Sequence, residues 1–311
     1  LIARHEGNRT GECIHFNSHI DVVEPGFGWT KDPFGAVIEK DMIFGRGACD
    51  MKGGLASSIV AAEAFISVCS NYSGAIEISA TADEETGGYG GVAWFAEKGY
   101  FSPKRVQHVI IPEPLNKDRI CLGHRGVWWS EIETKGRVAH GSMPFLGDCA
   151  IRHMGAVLDE IEKTLIPQLE NKTTKMPVVP EPARKSTLNI NSIHGGLAEA
   201  SETYNGYPSP LVPDSCRVIL DRRYLMEESL EEVKSEVHEI LDKVKLDRPS
   251  LVYEIKDLFE VKPSYTEPTS SIVQTVETSI KKILGVSPEY VVSPGTYDQK
   301  HIDRIGKLKN C

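Results

Sequence analysis

Strand-like and helix-like runs alternate over the first third of the chain. Residues 13–18, 75–82 and 107–111 are short apolar runs of the kind that form buried strands. Residues 53–68 and 90–98, which lie between them, carry small and apolar side chains at helical spacing. Because helices that connect parallel strands cover both faces of a sheet, this alternation predicts an α/β fold with a mostly parallel sheet flanked by helices.

A different order of elements begins further along the chain. The apolar pattern predicts a strand, a helix, two strands, a helix and a final strand, at residues 127–138, 148–169, 187–193, 216–224, 227–244 and 251–255. The order β-α-β-β-α-β is that of the split βαβ, or ferredoxin-like, sandwich. Since 311 residues exceed what one hydrophobic core usually needs, we predict two domains. The first consists of residues 1–120 and 260–311, and residues 121–259 are inserted into it. Residues 195–210, a polar stretch with Gly, Pro and Ser, predict a loop.

Carboxylates and a histidine follow the predicted strands of the first domain. His19 and Asp21 come after the first strand, the acidic run at residues 83–85 after the second and Glu113 after the third, while Asp50 precedes a helix. Sites in parallel sheets form at the carboxyl ends of the strands, so we expect these side chains to lie together. Neighbouring acids repel one another unless a cation offsets their charge. The set therefore predicts a metal centre, and its spacing suggests two metals.

Each of these residues also has an ordinary structural interpretation. His19 and Asp21 fit an exposed strand end, and Asp50 fits a helix cap. The acidic run at residues 83–85 fits a solvated turn, and Glu113 fits a plain loop. A phosphate-binding loop is not indicated, because neither GxxxxGK[ST] nor a strand–GxGxxG–helix unit is present. The metal interpretation thus depends on the set as a whole.

The donor types indicate the metal and the chemistry. One imidazole with several carboxylates suits zinc, and also cobalt or manganese, but not a thiolate site. His19 can bind a metal through one ring nitrogen, while Asp21 holds its imidazole by the second nitrogen. Within residues 83–85, one carboxylate can bind a cation while another accepts a proton from cation-activated water. This combination is typical of a metal-dependent hydrolase.

Five blocks of sequence carry a family resemblance. They are SHIDVV at residues 18–23, WTKDPF at 29–34, FGRGACDMKGG at 44–54, DEETGG at 83–88 and GRVAHGS at 136–142. In this order they resemble the acetylornithine deacetylase, succinyl-diaminopimelate desuccinylase and carboxypeptidase G group of metallopeptidases. The resemblance covers essentially the whole chain. It implies a zinc-peptidase-like catalytic domain with two divalent metal ions and an inserted dimerisation or lid domain.

The resemblance also implies roles for individual residues of the catalytic domain. His19 is expected to bind the first metal with Glu113, Glu85 to bind the second, and Asp50 to bridge both. Glu84 is the expected general base, and Asp21 is expected to orient His19.

Further roles fall largely on the inserted domain. The resemblance implies that His140 reaches across a dimer to stabilise the oxyanion in the partner's site. Arg223 resembles the arginine that holds the substrate carboxylate, with Arg222 as the alternative. Asn189, together with Gly295 and Thr296 of the first domain, resembles further substrate contacts.

One departure from the family concerns the second metal. The family supplies a histidine near the C-terminus, whereas this chain ends at Cys311 and His301 lacks the expected spacing. A segment expected before Leu1 is also absent from the sequence. We therefore expect the sequence to be part of a longer chain.

Charge and cysteine content indicate which partners and which cellular compartment to expect. A formal net charge of −9 argues against a nucleic-acid or anionic-membrane partner, and no apolar run is long enough to predict a membrane span. Seven cysteines without a CxxC or CxxH pair predict reduced thiols in a cytoplasmic protein. Cys49, beside Asp50, is expected to be a small buried side chain.

The residues and the resemblance together predict a metal-dependent amidohydrolase that cleaves N-acyl amino acids, and we expect it to be a homodimer. A carboxypeptidase or dipeptidase of the same family is the alternative within the enzyme class. A non-catalytic binding protein with an incomplete metal site is the alternative from another class.

Overall fold

The computed structural model describes residues 1–196 and 210–311 of the chain. Most of the loop predicted at residues 195–210 lies outside these ranges. The described chain forms two compact units, one of Leu1–His124 with Ser264–Cys311 and the other of Arg125–Pro263. Each bound lies four residues later than the predicted one (124 against 120, and 264 against 260). The difference arises because a strand of the first unit continues as far as His124.

The strands of the described residues are numbered in chain order. They are β1 (Ile2–Glu6), β2 (Arg9–His19), β3 (Val37–Glu39), β4 (Met42–Phe44), β5 (Ser73–Thr81), β6 (His108–Ile110), β7 (Arg119–His124), β8 (Gly126–Lys135), β9 (Thr187–Gly196), β10 (Ser215–Tyr224), β11 (Val252–Val261), β12 (Ser264–Tyr265) and β13 (Glu289–Ser293). The helices are α1 (Gly53–Val68), α2 (Trp94–Glu97), α3 (Ala150–Glu160), α4 (Ile166–Glu170), α5 (Leu230–Asp247), α6 (Ser271–Leu284) and α7 (Gln299–Arg304).

The first unit contains the predicted parallel strands. Its four-stranded sheet has the order β1-β5-β2-β6, in which β5 and β6 both run parallel to β2 and only β1 is antiparallel. In this register Phe16 lies beside Ile78 on one side and Ile110 on the other. The three parallel strands therefore end at the same edge of the sheet. A second sheet of order β12-β7-β13 and the hairpin β3–β4 complete the strands of this unit.

A small hydrophobic core fixes this sheet against the chain's last helix. Val92, Phe101 and Val109 are fully or almost fully buried, and Ile302 of α7 packs into the same cluster. Because α7 follows β13 and contributes to this core, residues from opposite ends of the unit are held side by side.

Helix α1 is largely exposed, and Ser58 is its one buried residue. The stretch Ala48–Val68 is long and apolar enough to cross a membrane by length and composition alone, and 11% of the window that passes this test is buried. The sequence prediction that no apolar run reaches this length is thus wrong for this stretch, in which Asp50, Lys52 and Glu63 and several Gly and Ser residues interrupt the apolar residues. Lengths and composition of this kind also occur in core helices.

The second unit is the predicted split βαβ sandwich, and the fold-class prediction is confirmed. Its sheet has the order β11-β8-β10-β9 with every neighbouring pair antiparallel. Helices α3 and α5 pack on it around a core that includes Trp128, Ile132, Met154 and Leu241. Helix α5 begins at Leu230, later than predicted, because Ser229 and Glu232 form a reciprocal capping box at its start.

All seven cysteines are free thiols. Cys49 is exposed, so the expectation that it is buried is wrong. The tight turn at Ala48–Lys52 instead directs Met51, two residues later, inward, and Met51 is 1% exposed.

Candidate metal centre

The predicted site residues of the first unit converge at one edge of its sheet. His19 is the last residue of β2, the acidic run at residues 83–85 follows β5, and Glu113 follows β6. Asp50 lies in the turn that leads into α1. Because β2, β5 and β6 are parallel, their ends lie at the same edge, and this topology brings the donors together.

His19 is the buried centre of the cluster. It is 1% exposed, and its Nε2 lies 3.1 Å from Asp50 Oδ1 and 3.5 Å from Glu113 Oε1. On the other side of the ring, Nδ1 donates to the carbonyl oxygen of Asp21 at 3.1 Å. The proton on Nδ1 leaves the Nε2 lone pair directed at the two carboxylates. Three electron-rich groups therefore face one another at short range.

Asp21 links the imidazole to the acidic turn. One of its carboxylate oxygens, Oδ2, accepts a hydrogen bond from the backbone N–H of Glu85 at 3.0 Å. The other, Oδ1, lies 3.5 Å from His19 Nδ1 and is a buried oxygen without a hydrogen-bond partner among the described residues. This geometry supports the expectation that Asp21 orients His19, and it adds the placement of Glu85.

The donor atoms fit a divalent cation. One ligand atom each from His19, Asp50 and Glu85 all lie within 4.8 Å of one another. Donors bound tetrahedrally to zinc at 2.0–2.1 Å are separated by about 3.3 Å, close to the two distances measured from His19 Nε2. Nitrogen and carboxylate donors with no thiolate are also the set that zinc, cobalt or manganese accepts. The residues therefore fit the metal that their pattern predicts.

The electrostatics of the cluster point to the same conclusion. Burial, followed by the negative charges of Asp50 and Glu84, raises the pKa of Glu113 to about 9. Burial, followed by the charge of Asp50, also raises the pKa of Glu85. Carboxylates in this position repel one another, and a bound cation would relieve the repulsion.

Asp83 belongs to the turn rather than to the cluster. Its Oδ2 accepts a hydrogen bond from the backbone N–H of Gly90 at 2.7 Å, and its Oδ1 accepts one from the Thr86 hydroxyl. These hydrogen bonds lower the pKa of Asp83. The residue itself adopts a left-handed conformation with φ of 73°. Asp83 thus holds the turn that presents Glu84 and Glu85.

Glu84 has a partner that the sequence patterns did not predict. Lys300 of α7 donates from Nζ to Glu84 Oε1 at 2.9 Å, and the Lys300 side chain is 3% exposed. Two residues earlier, Asp298 is also buried and accepts a hydrogen bond from Asn17 Nδ2 at 2.7 Å. Asp298 follows strand β13, so the expectation that site residues lie after the carboxyl ends of strands applies to it as well.

His301 does not belong to the donor set. Its Nε2 donates to the backbone carbonyl of Gly87 at 2.7 Å, and its ring packs edge-on against Tyr89. Burial lowers the pKa of His301 to about 4, so the ring is neutral near pH 7. The residue braces the acidic turn, in agreement with its unsuitable spacing for a ligand.

A cavity of about 440 Å³ opens beside the cluster in the first unit. Its lining includes Asp50, Glu84, Glu85 and Glu113, and it also includes Thr296, a predicted substrate contact. Aliphatic side chains form much of the remainder, together with Tyr297 and polar or charged residues that include Asn116, Arg119, Ser293 and Gln299. Gly295, next to Thr296, donates its backbone N–H to the Ser293 hydroxyl at 3.1 Å. A small amide substrate can therefore reach the acidic cluster from this cavity.

The remaining candidates lie on the second unit. His140 is exposed and pairs through Nδ1 with the Ser142 hydroxyl at 2.7 Å. Asn189 is an exposed residue of β9, and its side-chain amide donates to Asn191.

The two neighbouring arginines of β10 differ in their surroundings. Arg222 is fully buried and forms ion pairs with Glu228 at 2.7 Å and with Glu236 at 3.0 Å. The Arg223 side chain is 24% exposed and pairs with Asp221. Arg222 therefore holds the unit together, whereas Arg223 retains access to solvent and is the better candidate for contact with a substrate.

Known proteins that resemble this chain include metallopeptidases and related amide hydrolases. Residues 15–308 match the model of a family described as peptidase family M20/M25/M40. Succinyl-diaminopimelate desuccinylase of Nitrosomonas europaea is 28% identical over 298 residues, which is 94% of this chain and 73% of that protein.

Solved structures share the fold. A metallo-carboxypeptidase of Sulfolobus solfataricus matches with a TM-score of 0.74 and 20% identity over 99% of this chain and 78% of that one. Human carnosine dipeptidase 1 matches with a TM-score of 0.70 and 18% identity, over 99% of this chain and 74% of that one.

Proposed function

The chain belongs to peptidase family M20/M25/M40, and from this premise we propose that it hydrolyses the amide bond of N-acyl amino acids. Family membership and the desuccinylase relatives make it a metallohydrolase that acts on amide bonds. The family therefore does not support the alternative of a non-catalytic binding protein.

The convergence of His19, Asp50 and Glu85 carries the proposal, because their donor atoms lie within 4.8 Å of one another beside an open cavity. We assign His19 and Glu113 to a first divalent metal ion, Glu85 to a second, and Asp50 to both. Zinc suits these donors best, with cobalt or manganese as alternatives. When bound, the cations polarise the scissile carbonyl and make water a better nucleophile.

The protein's own residues handle the proton and the charge. Glu84, which lines the same cavity, accepts a proton from the attacking water and passes it to the leaving amine nitrogen. The C–O bond forms first and gives a tetrahedral oxyanion, whose collapse breaks the C–N bond, so the products are a carboxylate and an amino acid. His140 of a partner subunit donates to the developing oxyanion in a homodimer. Arg223 pairs with the carboxylate of the amino acid, assisted by Asn189, Gly295 and Thr296.

The desuccinylase relatives favour a substrate whose acyl group carries a second carboxylate. A carboxypeptidase or dipeptidase differs only in what lies on the acyl side of the bond, so it remains the second candidate. The seven free thiols favour a reducing compartment, and we propose the cytoplasm.

The test is hydrolysis of a substrate panel by the zinc-loaded protein. The panel contains N-acetyl and N-succinyl amino acids and unblocked dipeptides, each with and without a free carboxylate on the amine side. Turnover of the N-acyl amino acids, abolished by chelation and restored by zinc, is expected. Cleavage of the dipeptides alone would favour the second candidate, and no turnover of any member would refute the proposal.

Arg223→Met separates binding from chemistry. We expect a rise in KM of roughly 10-fold or more with little change in kcat, because a charge-assisted pair to the substrate contributes about 1.5–3 kcal/mol. The effect should vanish for substrates that lack the carboxylate. An equal effect on both kinds of substrate would show that Arg223 has another role.

A further inference from the structure

Helix α7 contacts the acidic turn at residues 83–88 through two consecutive side chains. Lys300 reaches Glu84, and His301 reaches the carbonyl of Gly87. The fit leaves little room for a larger residue at Gly88, where a Cβ would lie 3.1 Å from the His301 ring and 3.2 Å from Asp298 Oδ1. Gly88 also has a φ of 78°, which favours glycine. The turn is therefore fitted closely to α7.

Lys300 is unusual among lysines because it is buried. Lysine side chains are rarely buried unless they are paired, because removal of an ammonium group from water is unfavourable. Lys300 is 4% exposed as a residue, and its ammonium lies 2.9 Å from a carboxylate that is itself only 10% exposed. A pair in these surroundings is held in a narrow range of geometries.

The placement of Lys300 is itself held from the core of the sheet. Asp298, which opens α7, accepts hydrogen bonds from Asn17 of β2 at 2.7 Å and Thr81 of β5 at 3.5 Å. Asn17 in turn accepts from the Ser79 hydroxyl at 2.7 Å, and Ser79 pairs with the buried His15. The start of α7 is thus tied to the two central strands that also carry His19 and the acidic turn.

We propose that Lys300 is a positioning residue for the reaction: its buried ammonium fixes the carboxylate of Glu84 where that group can take a proton from water and return it to the leaving amine. The proposal rests on the proposed function, since it concerns the base of that reaction. A carboxylate free to rotate away spends less time in the reactive geometry, and a displacement of about 1 Å can lower the rate by roughly 100-fold.

The test compares Lys300→Met, Lys300→Arg and Arg304→Met, all as full-length, zinc-loaded proteins. Arg304 is the matched control, because it is an exposed cation of the same helix. For each protein we would measure kcat and KM on the best N-acyl amino acid, bound zinc, and the midpoint of thermal unfolding.

We expect Lys300→Met to lower kcat by about 10- to 100-fold with KM within about threefold of the wild type and zinc retained. Lys300→Arg, which keeps the positive charge, should recover most of the lost kcat. Arg304→Met should leave kcat and KM unchanged.

Several results would overturn the proposal. These are an unchanged kcat in Lys300→Met, a rise in KM alone, which would make Lys300 a substrate contact, and a loss of zinc in proportion to the loss of activity. If Lys300→Met does not fold, Lys300→Arg decides: it must retain kcat within about fivefold, whereas a loss as large as that of Glu84→Ala refutes positioning by charge. A wild-type protein without turnover refutes the proposed function, and this inference falls with it.

Discussion

Replacement of Glu77 by glutamine should destabilise the first unit by about 3 kcal/mol at neutral pH. Glu77 lies in β5, and its side chain is completely buried. Its carboxylate pairs with Arg4 at 2.8 Å, with Arg105 at 2.9 Å and with His15 at 3.2 Å. Glutamine has nearly the same shape but resembles the protonated acid, so the substitution removes the charge and leaves the cavity filled.

The magnitude follows from the pKa of Glu77. Burial alone would raise this pKa, but hydrogen bonds from His15 and Arg4 and the nearby positive charge outweigh it and hold the pKa at about 2. The ordinary value is 4.5, and the difference of 4.5 − 2 = 2.5 corresponds to about 3 kcal/mol. Because the folded pKa is the lower one, this stabilisation is complete above pH 4.5 and is lost as pH falls towards 2. At pH 3.5 about 2 kcal/mol should remain.

His15 contributes to the same acid sensitivity. Burial lowers the pKa of His15 below its ordinary value of 6.5, so the unfolded chain binds a proton there more readily than the folded one. Stability therefore falls as pH drops through 6.5 and below. Because the Glu77 carboxylate lies 3.2 Å from His15 Nδ1 and favours the protonated imidazole, the difference between the wild type and Glu77→Gln at low pH also includes the response of His15 to the lost charge.

Hydrogen exchange measured across a urea series at pH 7 and pH 3.5 would test this prediction. Peptides from β2 and β5 report on the first unit separately from the second. Glu254→Gln is the control, because Glu254 forms an exposed ion pair on β11 and should change stability little. Equal stability of Glu77→Gln and the wild type at pH 7, or a difference that does not shrink at pH 3.5, would show that the charge of Glu77 does not stabilise the first unit.

Four further substitutions test the site and the fold. Glu84→Ala should lower kcat by about 10²–10⁴-fold in amide hydrolysis while bound zinc, measured by elemental analysis, is retained; near-normal turnover would contradict its role as base. His19→Ala should weaken zinc binding by more than about 10-fold in a chelator competition, and unchanged affinity would remove it from the ligand set. Ser229→Ala should lower the free energy of unfolding of the second unit by about 1 kcal/mol in urea denaturation, through loss of the capping box. Arg222→Met should lower it by about 1.5–3 kcal/mol, because Glu228 and Glu236 lose the buried guanidinium and are left with Lys172 as their cation; a raised KM with unchanged stability would instead make Arg222 the substrate clamp.

The local patterns predicted most of the elements. The helix predicted at residues 53–68 matches α1 at both ends, because its pattern is decided by neighbours along the chain. The strand predicted at residues 13–18 ends one residue before β2 does but begins four residues late, because the first four residues of β2 are exposed and carry no apolar signal. Strand-end topology then brought His19 and Glu113 together as predicted, although 94 positions separate them in sequence (113 − 19).

The elements that the patterns missed depend on distant partners. Strand β1 is mostly polar and exposed, and only its pairing with β5 makes it a strand. Helix α7 has six residues and no strong periodicity, so its sequence does not indicate a buried helix. Lys300 is buried because α7 packs against the rest of the first unit. In the sequence, Lys300 cannot be distinguished from an exposed lysine, because its ion-pair partner Glu84 lies 216 residues away.

The insertion of the second unit into the first has a consequence for synthesis on the ribosome. The first unit is interrupted after His124 and resumes only at Ser264. Strand β7 therefore cannot pair with β13 until after Arg125–Pro263 has been translated. At about 5–20 residues per second, these 139 residues (263 − 125 + 1) take roughly 7–28 seconds. During that interval the acidic turn exists without Lys300 and His301 to brace it, while the inserted unit, which is continuous in sequence, can fold alone. The nascent chain therefore completes the half that carries His140 and Arg223 before the half that carries the metal donors.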